Sequence, residues 1–470
     1  MEKEQRKKYL LKNTIIFAIG NFGTKFIAFF LVPLYTNVLS TSDYGTVDLI
    51  YTIGMMLVPI LTLNIAEAVL RFPLDKDADY NKIMSTGLIV FLFSVVLGGV
   101  LIPIVSSFGR LGDYTIYIFL YTVTAASSQI FLFYLKGKEL LIRYSLGNVI
   151  QTFSVAVFNI LFLLVMQKGI EGYLVAYILA NVVTTIYAFV AGNLWSVFKN
   201  FKLDVSLTKK MIRYSSVLIP NSFMWWIMNS VDRIMVTAIV GVAENGVYAV
   251  AYKLPTLLSA VMSIFNQAWS FSAIKENESS DKEEYSNQVF EQLVSVVILV
   301  AIGMLMVTKV FLKYYVGKDY YEAWRHIPYL MIGFVFMTLG TFLSSSYTVH
   351  KDSWGFLASG TAGAIINVIL NFVLIPGLGA TGAAIATCIS YIAVFVYRVF
   401  DTRKYLKLKV FKKKHVLGYS LLILAAMTLF VDNIYGQIML IIEFVLSLIL
   451  FKKLIITMWK GICKYISKRK

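Results

Sequence analysis

Residues Ile83–Gly109, IMSTGLIVFLFSVVLGGVLIPIVSSFG, run for 27 residues without an ionisable side chain, between Lys82 and Arg110. A helix needs about 20 apolar residues to cross a hydrocarbon layer of ~30 Å, so this stretch alone reads as a membrane span. Working outward from it, charge boundaries delimit apolar segments at roughly 13–38, 45–70, 83–107, 114–135, 144–167, 171–195, 212–240, 246–272, 289–311, 325–349, 354–375, 379–400, 415–432 and 434–456. The whole chain agrees with them. Of its 470 residues 58% are hydrophobic and 15% charged, where a soluble domain carries about 25% charged residues. The expected fold class is an all-α polytopic membrane protein of about fourteen transmembrane helices, and a soluble globular protein is excluded.

The basic start, Met1–Lys12, precedes an apolar run that includes Lys25 and continues to about Val38 with no small-residue cleavage site, so it reads as a first span and not a signal peptide. A cytoplasmic N-terminus then sorts the 43 Lys and Arg residues. Arg110, Lys168, Lys309, Lys313, Lys318 and Arg325 fall outside, Lys25, Arg233 and Lys253 lie within spans, and all the others fall inside. This asymmetry is the positive-inside pattern. It accounts for the net charge of +17 without a nucleic-acid partner, and it places both termini in the cytoplasm. Cys388 and Cys463 cannot build a disulfide framework or a cysteine-based zinc site. No nucleotide-binding motif is present, and no cofactor or metal is expected.

A shift of 201 residues lays Ser42–Tyr51 over Ala243–Tyr252, matching acid to acid (Asp43, Glu244), Gly45 to Gly246 and Tyr51 to Tyr252. Both copies lie in an outside turn between an odd and an even helix, so six spans separate them and they share an orientation. That predicts a six-helix lobe at 1–200, a second at 201–405 related to the first by a pseudo-two-fold along the membrane normal, and a helix pair, 13–14, at 406–470.

Asn13–Tyr51, and still more Tyr214–Lys275 with Ile219-Pro220-Asn221-Ser222, Trp225-Trp226, Asp232-Arg233, Gly246-Val247-Tyr248, Tyr252-Lys253-Leu254-Pro255 and Phe265-Asn266-Gln267-Ala268-Trp269, resembles the bacterial oligosaccharide-lipid flippases of polysaccharide biosynthesis. These belong to the multidrug/oligosaccharidyl-lipid/polysaccharide exporter superfamily. The resemblance implies two bundles around a central cavity in the bacterial cytoplasmic membrane. It also implies alternating access that carries an undecaprenyl-diphosphate-linked oligosaccharide from the inner to the outer leaflet, alongside glycosyltransferases and a polysaccharide polymerase. The sugar is not read from it.

Ionisable groups at membrane depth cost a few kcal/mol, so each one asks for a cavity or a partner. Asn21 and Lys25 lie four apart on helix 1. Asn221, Trp225, Asn229 and Asp232 form a polar-aromatic stripe on helix 7, beside Arg233. Tyr248, Tyr252, Pro255, Ser259, Asn266 and Ser270 repeat the pattern on helix 8, beside Lys253. A lipid diphosphate needs cations, so Lys25, Arg233 and Lys253 are the candidate diphosphate ligands. Asn21, Asn221, Trp225, Asn229, Tyr252 and Asn266 are the candidate sugar contacts. Asp48 and Asp232 are the candidate ion-coupling acids. Plainer readings stand beside these: Asp232-Arg233 as an ion pair fixing helix 7, Lys253 snorkelling outward, Glu67 with Arg71 as an inner-surface pair, and Glu443 packed or facing lipid. Gly360, Ala364, Asn367 and Asn371 read as a close-packing face, and Pro33, Pro59, Pro220 and Pro255 as kinks within spans. Two other functions compete. A cation-coupled multidrug exporter would have acids dominating its cavity, against the deep Lys/Arg set. A membrane-embedded polymerase or ligase would need a substantial outer loop with catalytic residues, and Phe311–Ala323 is short and holds no His-centred constellation.

Overall fold

The computed structural model describes residues 24–454 and Ile456, apart from 76, 107–108, 277–280 and 351. Among the described residues every regular element is helical. Spans 1 to 6 are α1 (Thr24–Val38), α2 (Thr41–Leu61) with α3 (Ile65–Arg71), α4 (Tyr80–Ser106), α5 (Thr115–Gly137), α6 (Leu141–Asn159) and α7 (Gly169–Ala191). After a short α8 (Trp195–Lys199), span 7 is α9 (Val205–Val217) with α10 (Ile219–Ile239), and span 8 is α11 (Val242–Ala251) with α12 (Lys253–Glu276). Spans 9 and 10 are α13 (Lys282–Tyr315) and α14 (Ile327–His350), and the last pair is α16 (Lys413–Thr428) and α17 (Ile434–Leu450). Spans 11 and 12 are the two halves of α15 (Ser353–Asp401), which bends at Gly379 with φ 57° and ψ −143°. Only glycine adopts that conformation readily, so the Pro376-Gly377-Leu378-Gly379 turn ends one span and begins the next. All fourteen sequence segments therefore have a helical counterpart.

The repeat is visible in the helix starts. Ser40 caps α2 by accepting from the Asp43 N–H at 3.1 Å, while Asp43 accepts from the Ser40 N–H at 3.4 Å. The 201-residue shift carries the first residue of α2, Thr41, onto the first residue of α11, Val242, and each first turn holds an acid, Asp43 or Glu244. Pro220 and Pro255 open α10 and α12 within their first turns, where a missing N–H costs no hydrogen bond. They start helices and are not mid-span kinks.

Contacts divide the chain into two compact units at Thr237/Ala238, a different point from the repeat boundary at 200/201. The reason is local: α9 packs on α3 and α4, and Lys82 of α4 meets Asp204, the cap of α9, at 3.0 Å. In the first unit, Val69 (α3), Met84 (α4), Leu135 (α5), Ala188 (α7), Val197 (α8) and Met211 (α9) share one buried core. Arg71 pairs with Asp75 one turn on, at 2.6 Å, and not with Glu67.

The second unit is built around α14, 78% of whose apolar window is buried. A side chain at Gly333 would stand 3.0 Å from the Cys388 backbone, so α14 and the second half of α15 approach as closely as glycine permits. Asn371 donates to Asn367 at 3.0 Å and Asn367 to Thr387 at 3.3 Å, which ties spans 11 and 12 by their predicted packing face. Arg398, assigned from the sequence to an inner segment, is buried in α15. It donates to Ser359 Oγ at 3.1 Å and to the Gly340 carbonyl at 3.0 Å. Glu443 does not face lipid; it is buried and accepts from the Thr428 hydroxyl at 2.7 Å. Beyond the membrane boundary, the Gly355 N–H, the Tyr405 hydroxyl and Lys404 hold the Asp352 carboxyl down at about 2, which keeps the start of α15 capped by a carboxylate. Exposed apolar rows such as Phe93, Val96 and Val100 on α4 and Ile441, Ile442 and Ile449 on α17 suit acyl chains as solvent.

Topology is checked by single cysteines in a Cys388→Ala/Cys463→Ala background. Leu378→Cys and Asp432→Cys, at exposed turns, should react with an impermeant maleimide added outside intact cells, and Asn200→Cys should react only after permeabilisation. Labelling of Asn200→Cys in intact cells would overturn the arrangement.

Candidate functional site

Within the first unit, span 2 (α2, α3 and the break between them) and α10 are joined by three polar links. Near one end, Asn64 Nδ2 donates to Ser222 Oγ at 3.3 Å. In the middle, the Trp226 indole N–H donates to the Thr52 carbonyl at 3.0 Å. At the other end, the Arg233 guanidinium meets Asp48 at 2.8 Å, with side-chain exposures of only 16% and 9%. Asp48 lies eight residues beyond the cap at Ser40, or ~12 Å along the helix at 1.5 Å per residue. The pair therefore sits at membrane depth.

Local sequence explains the geometry. Ser222, Trp226 and Arg233 are spaced by four and seven, one face of α10, and Tyr44, Asp48 and Thr52 are spaced by four, one buried face of α2. The face that reaches α2 is displaced by one residue, about 100°, from the stripe read in the sequence. Of that stripe, Asn229 is half-buried and Asp232 is buried, and the side chains of Asn221 and Trp225 lie outside those described. Asp232 Oδ1 accepts from the Arg233 backbone N–H at 2.9 Å. The guanidinium bonds Asp48 at 2.8 Å, an ion pair between helices. Ser222 and Trp226 were not among the sequence candidates. Their signal is the spacing to Arg233 once Asp48 is known to be its partner.

Around Asp48 lies a tyrosine shell. Tyr44, one turn before it, stacks on Tyr35 of α1 with centroids 6.0 Å apart, and Tyr35 meets Tyr173 of α7 edge-on at 4.9 Å. Tyr173 stacks on Tyr177 at 4.9 Å and their hydroxyls lie 3.3 Å apart. Tyr177 meets Tyr51, and Tyr51 meets Tyr121 of α5. Rings from four helices thus pack on one another within the first unit, and Tyr44 brings that cluster to within one helical turn of Asp48.

The remaining candidates are dispersed. Asn21 lies outside the described residues. Lys25 is exposed on α1, and in the second unit Lys253 and Asn266 are half-buried on α12. Tyr252 is buried against Tyr248, centroids 5.1 Å apart, and Phe334, 5.9 Å apart, so in this structure its ring packs the interior of the second unit and forms no open wall. Trp269 is likewise packing: it stacks on Phe342 at 4.4 Å and donates to Ser345 at 2.8 Å. Among the described residues no cluster of three metal-ligating side chains occurs.

Residues 10–271 match the family described as "Polysaccharide biosynthesis protein", more than half of the chain. The chain belongs to that family. It is 24% identical over 426 residues to "Uncharacterized membrane protein MJ1375" of Methanocaldococcus jannaschii, covering 83% of this chain and 97% of that one. It is 28% identical over 216 residues to "Probable lipid II flippase MurJ" of Thermotoga maritima, covering 43% of this chain and 44% of that one. Two solved structures share its fold at 14% identity. One is a lipid II flippase MurJ in an inward closed conformation, with a TM-score of 0.63 over 96% of this chain and 100% of that one. The other is an inward-facing multidrug resistance MATE family transporter of the MOP superfamily, with a TM-score of 0.65 over 82% and 94%. At 14% identity these two likenesses show a shared fold.

Removing one member of a buried pair leaves the other charge uncompensated, at about 3–5 kcal/mol. Arg233→Ala should therefore destabilise the protein by about that amount in thermal unfolding. Arg233→Gln/Asp48→Asn together should recover most of the loss, and a cycle with no coupling between the two positions would show that the bridge does not form in the membrane.

Proposed function

We propose that this protein carries an undecaprenyl-diphosphate-linked oligosaccharide from the inner to the outer leaflet of the bacterial cytoplasmic membrane by alternating access, for cell-surface polysaccharide synthesis. Glycosyltransferases would supply the unit and a polymerase would consume it. The observation that carries the reading is the buried Asp48–Arg233 bridge between α2 and α10. A diphosphate crossing the bilayer needs a cation at depth, and it must also be let go. Arg233 meets both needs, because a phosphate can take the bidentate face of the guanidinium that Asp48 occupies when the substrate is absent.

Exchange of partners then has two consequences. Binding of the diphosphate to Arg233 frees α2 from α10 at that level, and return of Asp48 to Arg233 expels the diphosphate. Asp48, once displaced, is a carboxylate at membrane depth, and taking up a proton or Na⁺ lowers its cost there. Asp48 thus becomes the first candidate for ion coupling, and Asp232, bonded to its own helix, the second. Lys25, exposed on α1, supplies a further cation, and the tyrosine shell supplies ring faces for the sugar nearest the diphosphate.

Proteoliposomes loaded with fluorescent lipid-linked oligosaccharide test this. Asp48→Asn should bind the diphosphate lipid about tenfold more tightly, ~1.4 kcal/mol, yet flip it more slowly, because the competitor that drives release is gone. Arg233→Gln should lose both binding and flipping, and Lys25→Ala and Lys253→Ala should each lower flipping. If all four variants flip at the wild-type rate while an imposed proton or Na⁺ gradient drives drug efflux, the substrate assignment fails in favour of a multidrug exporter.

A further inference from the structure

In the second unit, α13, the start of α16 and the residues just after α17 line an open cavity of about 290 Å³, with Gln288, Glu291, Gln292, Lys414 and Lys453 among its polar residues. Gln288, Glu291 and Gln292 recur at intervals of three and four, so they present one face of α13. Glu291 organises the cations. Its Oε2 accepts from Lys412 at 2.9 Å and its Oε1 from Lys414 at 3.2 Å. One carboxylate thus gathers two ammonium groups, Lys453 stands at the cavity edge, and the Gln288 amide donates to Glu284 at 3.3 Å.

The position of the cavity matters as much as its charge. α16 begins at Lys413 and α17 ends at Leu450, so the cavity lies where two apolar helices leave the hydrocarbon on the lysine-rich side. One and two turns before Lys453 in the chain, Ile449 and Leu446 are exposed, a surface along which acyl chains can lie. A soluble anion would use only the lysines, whereas a phospholipid would use both the lysines and the apolar rail. The volume equals roughly ten waters at ~30 Å³ each, enough for a phosphate with a glycerol attached. Basic pockets between transmembrane helices are suited to anionic headgroups.

We propose that this cavity binds the phosphate headgroup of an anionic membrane phospholipid, with Lys414 and Lys453 as its cations and Gln292 as an amide donor. The site is independent of the transport reading, since every residue in it belongs to helices 9, 13 and 14. Glu291 sets its affinity by holding Lys412 and Lys414 while partly neutralising them.

The experiment uses the purified full-length chain titrated with phosphatidylglycerol, phosphatidylcholine or soluble glycerol phosphate, with bound species counted by native mass spectrometry. Wild type should bind phosphatidylglycerol at least tenfold more tightly than phosphatidylcholine. Lys414→Gln/Lys453→Gln should abolish that preference, and Lys453→Gln alone, which leaves both Glu291 bridges intact, should lower it about threefold. Glu291→Gln should raise it, a direction opposite to that of a merely structural bridge, whose loss would leave lipid preference unchanged. An unchanged preference in Lys453→Gln and Glu291→Gln overturns the proposal, and so does competition by glycerol phosphate as effective as that of the lipid.

Discussion

Hydrocarbon offers no partner to a backbone N–H or C=O, and everything in this structure follows from that constraint. Helices satisfy it internally, so each span is helical, and each interruption must be absorbed where protein covers it. Leu63 and Asn64, both with positive φ, break α2 from α3. There the Asn64 N–H reaches back to the Pro59 carbonyl at 2.8 Å and the Ile65 N–H to the Thr62 carbonyl at 3.0 Å. The freed side chain of Asn64 is then available to Ser222. A break that the membrane would otherwise forbid thus supplies one of the three links between span 2 and α10.

The second consequence concerns how helices hold together without a hydrophobic drive between them. Lipid is as apolar as leucine, so close approach and interhelical hydrogen bonds carry association. Both are present in the second unit, as the near-contact of Gly333 with the Cys388 backbone and the Asn371–Asn367–Thr387 chain. In the first unit the link between span 2 and α10 is of another kind. Long side chains bridge it at three levels, and the strongest bridge is ionic. Such a link is worth much while intact and is lost cooperatively when one partner is drawn away, a property suited to a helix that must separate from its neighbour.

Span number and helix type were legible in the sequence because they depend on long uncharged runs, a signal that averages over 20 or so residues. The repeat was legible for a related reason: Asp43 and Glu244 stand in the first turns of helices that begin 201 residues apart, and first-turn acids are a local signal. What the sequence did not disclose were pairings across the fold. Arg233 stood beside Asp232, and nothing in adjacency reveals that its guanidinium turns to Asp48, 185 residues earlier. The helix-7 stripe was read one residue out of phase with the face that meets α2, since Trp225 and Trp226 are equally good candidates until a partner chooses between them. Arg398 was assigned to an inner loop because it stands close to Arg403 and Lys404, yet the buried face of α15 continues one turn further than the charge boundary. Pro220 and Pro255 read as kinks because helix starts at Ile219 and Lys253 fall inside uninterrupted apolar runs.

Arg398, Glu443 and the part-buried Arg233 have different kinds of partners. Arg398 donates to a hydroxyl and to a backbone carbonyl of the same unit, and it stacks over Phe356 at 5.4 Å. Its partners are neutral and belong to the helices it joins, so no incoming anion can replace them without opening that packing. Glu443 accepts one hydroxyl bond within the α16–α17 pair, and a carboxyl so placed is served as well by a proton as by a charge. Arg233 alone is held by a full opposite charge on a separate helix. On the proposed reading, an incoming phosphate would compete with the Asp48 carboxylate for the same guanidinium. An ammonium at position 233 would keep the charge but lose the fork that two oxygens of either partner can occupy, and for that reason the exchange depends on arginine.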